Sequence, residues 1–316
     1  MNVLTVTVNP AIDKNTVVDT VMPTKKLRCE EPSFEAGGGG INVSRAIKEM
    51  GGESHALFLG GGPMGKHIEN LLGKAQINYE MVPIDNWTRE NLMVMEKSTD
   101  QEYRFVMPGP KVFENEWKRC LEKISAFEPV PEYIVVSGSL PEGIPDDFYA
   151  QIAQIAKIRE SKLVVDTSGP ALFKAADVGV FLLKPNLGEL AALVGKETIT
   201  VHEQEKIARD IVGSGKCEIL VVSLGPRGAM MMTKNDIQYV VPPTIKQHST
   251  VGAGDSMVAG LIYALSVGKP HLDMLRMGVA AGTAATMTSG AELCHKEDVF
   301  RLYEWLKYRT SSSYHE

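Results

Sequence analysis

Short apolar runs alternate with amphipathic stretches through the second half of the chain. The runs are apolar almost throughout, as expected for strands that helices cover on both faces, and the stretches between them have helical spacing. From residue 114 onward the pattern predicts, in order, a helix over 114–127, a strand over Tyr133–Ser137, a helix over 145–160, strands over Lys162–Asp166 and Val180–Lys184, helices over 186–194 and 203–213, a strand over Ile219–Ser223, hairpin-like strands over Ala229–Met232 and Ile237–Val241, and helices near 254–267, 271–287 and 296–308. This order predicts an α/β fold with a doubly wound, mostly parallel sheet flanked by helices.

The first hundred residues follow a different pattern. Val3–Val8 is a run rich in β-branched residues that Asn9-Pro10 ends, which predicts a strand followed by a turn. The stretches over about 15–35 and 87–107 alternate polar and apolar residues without helical spacing, which predicts a small antiparallel sheet exposed to water on one face. Such a sheet can cover a site or pair with its copy. Because no repeat or low-complexity linker interrupts the chain, we expect a single α/β domain over 1–316, with this small sheet as a β-lid.

Composition and charge exclude several classes of protein. A formal net charge of −6 and a sequence pI near 5.7 argue against a general nucleic-acid surface. An anionic small substrate must therefore meet Arg or Lys side chains that are placed locally. The four cysteines lie far apart with no C-x-x-C pair, which favours reduced thiols over disulfides or a zinc site. With no basic leader segment and no uncharged run long enough to span a membrane, we expect a cytoplasmic protein.

The stretch Thr250–Ser256 places two glycines and a carboxylate where an apolar helix begins. Gly252 and Gly254 let backbone N–H groups approach an anion, and the helix that follows adds its positive N-terminal dipole. Asp255, beside that turn, is placed to take a proton from a nucleophilic hydroxyl while the turn binds a transferring phosphoryl group. These residues alone leave this interpretation and an ordinary loop with an acidic first turn equally open.

Three groups in the first half lie near predicted strand ends. Asp13 follows the first strand, where it could bind a polar ligand or form a turn. Gly37–Gly40 precedes a helix that carries Asn42 in its first turn, and we expect ligand contact there rather than a hinge. Gly60–His67 partly fits two nucleotide-binding fingerprints, but His67 stands where a P-loop needs Ser or Thr, so we expect a structural strand-to-helix turn.

Three groups in the second half follow predicted strands. Ser137–Gly143 offers hydroxyls and free N–H groups at the ligand edge of the sheet, and a helix cap is an equally good interpretation. Asn186 and Glu189 lie one helical turn apart, a spacing that suits Mg²⁺ bound largely through water and also suits a capping box. Ser223–Gly228 is a glycine turn able to pass beside a nucleotide.

Taken together, these groups are similar to the motifs of a known family. The shared motifs are Lys26-Leu-Arg-Cys29, Phe34-Glu-Ala-Gly-Gly-Gly-Gly-Ile-Asn-Val43, Trp87-Thr-Arg89, Tyr103-Arg-Phe-Val-Met-Pro-Gly109, Ser137-Gly-Ser-Leu-Pro141, Lys184-Pro-Asn186, Val222-Ser-Leu-Gly-Pro226 and Ser249-Thr-Val-Gly-Ala-Gly-Asp-Ser-Met257. On these motifs the chain is identified as a member of the ribokinase-like PfkB family of carbohydrate kinases, in the pattern of its 6-phosphofructokinases. The resemblance covers essentially the whole chain.

The resemblance implies a fold and an activity. It implies a doubly wound sheet with a small β-lid, and a homodimer that forms through the lids. The implied reaction is transfer of the γ-phosphoryl group of ATP, with Mg²⁺, to the 1-hydroxyl of fructose 6-phosphate in glycolysis. Tagatose-6-phosphate kinase and 1-phosphofructokinase remain alternatives, because Asn9–Asp13 also resembles the opening of those enzymes. A regulator that binds sugar phosphate or nucleotide without turnover is a further alternative, although such a protein has no need of Asp255.

The resemblance also implies roles for single residues. The implied catalytic group is Asp255 as base with Gly252, Ala253 and Gly254 as its anion hole. The residues implied at the sugar phosphate are Asp13, Lys26 from a partner's lid, Gly38, Gly39, Asn42, Arg89, Arg104 and Ser139. Those implied at the nucleotide are Lys184, Asn186, Ser223, Gly225, Gly228, Ala281 and Gly282, with close helix packing as the alternative for the last two. Asn186 and Glu189 are implied to organise Mg²⁺ through water.

Three positions depart from the pattern of the family's 6-phosphofructokinases. Gly188 replaces a basic residue, and Thr288 and Glu292 replace an Asn and an Arg near a loop that binds a monovalent cation in many relatives. The resemblance implies K⁺ binding by backbone carbonyl groups of Ser249, Val251, Ala285 and Gly290. Glu292 inverts the charge beside that loop.

Overall fold

The computed structural model describes residues 2–288, 290 and 292–312. Its strands are β1 (Val3–Thr7), β2 (Ala11–Val18), β3 (Ser33–Gly37), β4 (His55–Gly60), β5 (Asn78–Pro83), β6 (Arg89–Glu96), β7 (Gln101–Phe105), β8 (Tyr133–Ser137), β9 (Lys162–Asp166), β10 (Val180–Leu183), β11 (Cys217–Ser223), β12 (Ala229–Thr233) and β13 (Ile237–Val240). Its α-helices are α1 (Gly39–Glu49), α2 (Gly62–Lys74), α3 (Glu114–Ala126), α4 (Phe148–Ile158), α5 (Gly169–Val178), α6 (Leu187–Leu193), α7 (Val201–Gly213), α8 (Ala253–Ser266), α9 (His271–Ala285) and α10 (Lys296–Ser312).

Nine of these strands form one large sheet. Their order is β13-β12-β11-β10-β9-β8-β1-β4-β5. Neighbouring strands pair in parallel except at one edge, where β12 is antiparallel to β11 and β13 to β12. The chain starts inside the sheet at β1, adds β4 and β5 on one side, and then adds β8 to β13 on the other. The predicted doubly wound, mostly parallel sheet is therefore confirmed.

Helices cover both faces of the large sheet. On one face α3 to α7 bury side chains such as Trp117 and Phe148, and on the other α1 and α8 to α10 bury side chains such as Met274. The neighbouring strand residues Val135 and Val136 belong to different cores and are both fully buried, which explains why these strands are apolar throughout. Across the described ranges, we find no helix with the length and apolar character needed to cross a membrane.

The four remaining strands form a separate small sheet in the order β3-β2-β6-β7. Its outer pairs are antiparallel, but its central strands β2 and β6 are parallel, so the prediction of a purely antiparallel sheet was wrong. The reason is connectivity: β2 follows β1 and β6 follows β5, so both central strands leave the large sheet from the carboxyl ends of parallel strands. Because β2 begins at Ala11, Asp13 lies within a strand and not in a turn after β1.

Candidate active site

Polar side chains converge at the carboxyl ends of three adjacent strands. Ser137 ends β8, Asp166 ends β9, and Lys184 directly follows β10. Helix α8 begins at the same edge of the sheet and carries Asp255 in its first turn. This edge lies beside the point where the strand order changes direction, between β1 and β8, which is where open α/β sheets bind ligands.

Asp255 is held by two donors from distant parts of the chain. Its Oδ2 accepts a hydrogen bond from Nδ2 of Asn42 at 2.9 Å, and its Oδ1 accepts one from the hydroxyl of Ser137 at 3.1 Å. Burial, followed by the nearby charge of Asp166, raises the pKa of the Asp255 carboxyl to about 6. A carboxyl group with that pKa is ionised at neutral pH and can take up a proton, as a general base requires.

Lys184 is a buried cation beside Asp255. Burial alone would lower the pKa of Lys184, but the neighbouring carboxylates, Asp166 above all, outweigh that effect and raise the pKa. Its Nζ lies 3.0 Å from Oδ1 of Asp166 and 3.7 Å from the point where a Cβ on Gly254 would lie. This places a positive charge next to the predicted anion hole. Asp166 was not among the predicted site residues, although a carboxylate at the end of an apolar strand is a usable signal.

The glycine run Gly37–Gly40 is required by close packing within the protein. A Cβ on Gly39 would lie 2.6 Å from the carbonyl carbon of Ser137, so the first turn of α1 touches the end of β8. Only glycine permits that approach. This close packing brings Asn42 within hydrogen-bond distance of Asp255, so the glycines help to position the site. Ligand contact at Gly38 and Gly39 stays a prediction.

Asp13 lies on β2 beside the same glycine run. Its Oδ1 accepts a hydrogen bond from Nδ2 of Asn91 at 2.8 Å, and a Cβ on Gly37 would overlap its Oδ2. Burial raises the pKa of Asp13, against the lowering effects of Asn91 and of the guanidinium groups of Arg45 and Arg89. The result is a buried acceptor group, which suits the predicted binding of sugar hydroxyls.

Arg89 is tied to the backbone at the base of the small sheet. Its two terminal nitrogens donate to the carbonyl oxygens of Met107, at 2.9 Å, and of Asn9, at 3.1 Å. Its Nε is buried and has no hydrogen-bond partner within the described part of the chain. Binding of a substrate phosphate by Arg89 therefore stays a prediction, and it requires that Nε or a rearranged terminal nitrogen turn to the ligand.

Arg104 reaches from the small sheet to the loop before the anion hole. It forms an ion pair with Glu102, and one terminal nitrogen lies 3.3 Å from the hydroxyls of both Ser249 and Thr250. These two hydrogen bonds are longer than usual and therefore weak. A cation therefore stands between the small sheet and the turn at Gly252.

The other two residues predicted at the sugar phosphate differ in their surroundings. The hydroxyl of Ser139 accepts a hydrogen bond from Nδ2 of Asn9 at 3.0 Å, close to the end of β8. Lys26 is exposed in the segment that joins β2 to β3. An exposed position is compatible with the predicted role of Lys26 in the site of a second copy.

Asn186 and Glu189 form the capping box that the sequence allowed. The Asn186 Oδ1 accepts from the Glu189 N–H at 2.9 Å, and the Glu189 Oε2 accepts from the Asn186 N–H at 2.8 Å, at the N-terminus of α6. Burial, with a smaller effect of Asp166, raises the pKa of Glu189. Three carboxylates, those of Asp166, Glu189 and Asp255, thus share the neighbourhood of Lys184, which leaves an excess of negative charge that a divalent cation would neutralise.

A cavity of about 450 Å³ adjoins the anion hole. The predicted nucleotide and anion-hole residues that line it are Ser223, Gly225, Gly228, Ala253, Gly254 and Gly282. Its wall also includes residues that the sequence did not indicate, among them Val241, Pro242, Ile245, Met257 and Val279. Ala281 is fully buried and packs against Gly260 between α8 and α9, which agrees with the alternative of close helix packing. Its place beside adenine stays a prediction.

The predicted K⁺ loop is held by internal hydrogen bonds. The Thr288 hydroxyl lies 2.8 Å from the carbonyl oxygen of Ala285 and 2.9 Å from that of Glu292, and the Val251 N–H donates to the Ser249 hydroxyl at 3.2 Å. A carbonyl oxygen has two lone pairs, so a bond from Thr288 leaves Ala285 able to contact a cation. K⁺ binding here stays a prediction.

Comparisons with known proteins agree with this geometry. The pfkB family of carbohydrate kinases matches residues 6–298. The ATP-dependent 6-phosphofructokinase isozyme 2 of Escherichia coli strain K12 is 41% identical over 307 residues, which cover 97% of this chain and 99% of that protein. The crystal structure of phosphofructokinase-2 from Escherichia coli in complex with potassium matches with a TM-score of 0.93 at 40% identity, over 97% of this chain and 99% of that one. The 1-phosphofructokinase of Borreliella burgdorferi is 32% identical over 301 residues, 95% of this chain and 96% of that protein.

Proposed function

Since the chain belongs to the pfkB family of carbohydrate kinases, we propose that it is an ATP-dependent 6-phosphofructokinase that acts on the 1-hydroxyl of fructose 6-phosphate. The observation that carries this proposal is the half-buried Asp255 carboxyl, with its pKa of about 6, at the N-terminus of α8 and beside Lys184. The higher identity to a 6-phosphofructokinase than to a 1-phosphofructokinase, 41% against 32%, supports this acceptor. We propose that the whole chain forms the kinase domain, with the small sheet as its lid.

Each group at this edge of the sheet has a distinct part in the reaction. Asp255 removes the proton from the attacking hydroxyl, while Asn42 and Ser137 hold its two oxygens in place. The backbone N–H groups at Gly252–Gly254 and the Nζ of Lys184 stabilise the negative charge on the transferring phosphoryl group. The neighbouring cavity has the volume and the largely apolar wall expected for the adenosine part of ATP.

Mg²⁺ is the metal that these residues fit. No cluster of three or more His, Cys, Asp or Glu side chains occurs among the described residues, so the protein offers the ion few direct ligands. That suits Mg²⁺, which keeps several waters and binds through one or two carboxylates together with phosphate oxygens. Glu189 would hold the hydrated ion, which would supply positive charge beside the leaving phosphate groups.

Glu189→Gln is expected to raise the Mg²⁺ concentration needed for half-maximal rate, because a neutral amide replaces a carboxylate in the hydration shell of the ion. Titration of the rate with MgCl₂ at fixed ATP measures this. Glu203→Gln is the matched control, since Glu203 forms the same kind of capping box with Thr200 at the start of α7. Equal, small effects of both substitutions would leave Glu189 with a capping role alone.

Arg104→Ala is expected to lower kcat/KM toward fructose 6-phosphate. The expected increase in the activation free energy is about 1.5–3 kcal/mol, the scale of a lost hydrogen bond to a charged group. The KM for ATP should stay nearly constant, and unphosphorylated fructose should be a poor substrate. Steady-state kinetics with both sugars measures this, with Arg301→Ala on the exposed side of α10 as control. If fructose matches its 6-phosphate, or if Arg104→Ala changes nothing, Arg104 does not bind the substrate phosphate.

Association through the small sheet is part of the proposal. Exposed apolar side chains occur at the end of β7 and just after it, and in the segment that joins β2 to β3: they are Phe105, Val106, Met107, Met22 and Leu27. Pairing of two copies would bury these side chains and bring the exposed Lys26 toward the second site. K⁺ is proposed as a further ligand at the loop that follows Ala285, the last residue of α9.

A coupled assay of ADP release tests the proposed function. The acceptors compared are fructose 6-phosphate, fructose 1-phosphate and tagatose 6-phosphate, each by kcat/KM. We expect fructose 6-phosphate to be preferred. Preference for another acceptor reassigns the substrate within the family, whereas binding of sugar phosphate without ADP release contradicts catalysis and favours a regulator.

A further inference from the structure

The Asn91 side chain forms two hydrogen bonds beside Asp13, where the sugar hydroxyls are predicted to bind. Asn91 lies on β6 opposite Asp13 of β2. Its Nδ2 donates to Oδ1 of Asp13 at 2.8 Å, and its Oδ1 accepts from the Met107 N–H at 3.1 Å. Since an amide nitrogen only donates and an amide oxygen only accepts, these two bonds fix the orientation of the group.

The segment that Asn91 holds is the exit from the last strand of the small sheet. Met107 follows β7, and its carbonyl oxygen accepts from Arg89 while its N–H donates to Asn91. Both polar groups of that residue are therefore bound by side chains of β6. The two hydrogen bonds of Asn91 therefore link the Asp13 carboxylate to the backbone of Met107.

We propose that Asn91 is a positioning residue of the sugar-phosphate site: it fixes the Asp13 carboxylate for a sugar hydroxyl and couples it to the end of the lid strand β7. This inference rests on the proposed function. Asn91 contacts no reacting atom and acts through Asp13.

The charges around Asp13 decide how this role can be tested. Arg45 of α1 and Arg89 of β6 face the carboxylate, and Glu35 of β3 pairs with Asp13 in register and with Arg45 as an ion pair. A pH-dependent difference between variant and wild type therefore reports the carboxyl group introduced at position 91, because both proteins share all these neighbours.

Asn91→Asp separates the two bonds. It retains an oxygen to accept from the Met107 N–H but places a second carboxylate against Asp13. At pH 8 we expect kcat/KM for fructose 6-phosphate to fall about 10- to 100-fold, chiefly through KM, with the KM for ATP unchanged. As the pH falls toward 5.5, the two carboxyls take up one shared proton, the donor is restored, and the ratio of variant to wild-type kcat/KM should rise.

Two controls complete the experiment. Asn91→Ala should show the loss without the recovery at low pH, and Glu90→Gln, on the exposed face of the same strand, should leave both KM values unchanged. The assay uses whichever of the three sugar phosphates the wild type converts best. A flat ratio from pH 8 to 5.5, or equal losses for ATP and sugar phosphate, would overturn the inference while the wild type remains active. No turnover of any sugar phosphate by the wild type overturns the proposed function and this inference with it.

Discussion

Asp255→Asn should lower kcat with fructose 6-phosphate by about 10²–10⁴, the usual contribution of a general base. The amide has the size of the carboxylate but cannot take a proton from the attacking hydroxyl. The chain should stay folded, and the KM values for ATP and sugar phosphate should change little, because the anion hole and Lys184 remain. Steady-state kinetics together with circular dichroism checks each part of this expectation.

Asp273→Asn is the matched control for that substitution. Asp273 lies in the first turn of α9, as Asp255 does in α8, but it pairs with Arg276 away from Asn42 and Ser137. Its replacement should leave kcat within a factor of about two, because it removes no proton acceptor from the active site. A loss of less than tenfold for Asp255→Asn would contradict the role of Asp255 as the base. Asp255 would then be an acidic residue whose charge only complements the helix dipole.

Lys184→Met should lower the free energy of unfolding by about 3–5 kcal/mol, the cost of removing one partner from a buried ion pair. The Lys184 side chain is 6% exposed and that of Asp166 is 16% exposed. Water therefore cannot replace the interaction that the Asp166 carboxylate loses. Lys184 also lowers the pKa of Asp255, which should therefore rise above its value of about 6. Urea unfolding measures the first effect and the pH dependence of the rate measures the second.

The Lys206–Asp210 pair provides the comparison for that prediction. Both side chains are largely exposed, at 79% and 62%, so water screens the pair and Lys206→Met should leave the free energy of unfolding nearly unchanged. Lys184→Met combined with Asp166→Asn should recover much of the stability, since no uncompensated charge then stays buried. Equal costs for Lys184→Met and Lys206→Met would show that burial does not set the strength of the Lys184 pair.

The sequence was most informative where burial dictates the residue type. Strands β8 and β9 were predicted with their observed bounds, because helices on both faces require apolar residues at the central positions of each strand. Strand β5 was missed because an edge strand can carry mixed residues and end in Pro83. Helix α5 was missed because its short, Ala-rich sequence follows Pro170 at the first turn and has little contrast between its faces.

The contacts that build the site could not be read from local pattern. Asn42 and Asp255 are separated by 213 positions, and Ser137 and Asp255 by 118. Periodicity places each residue on its own element but gives no distance between elements. The glycines at 37–40 were correctly singled out as unusual, yet the structural reason for them, close approach to β8, depends on a strand a hundred residues later.

The pH dependence of kcat/KM for fructose 6-phosphate tests the central claim most directly, because kcat/KM reports ionisations of the free enzyme. Asp255 must be deprotonated to act, and its pKa is raised to about 6, so activity should be constant above pH 7 and fall about tenfold per pH unit below 6. Correction for ionisation of the substrate phosphate comes from its own titration. In Asp255→Asn the residual activity should lack this acid limb. A wild-type profile flat from pH 8 to 5, or an acid limb that persists in Asp255→Asn, would contradict the assignment of Asp255 as the base.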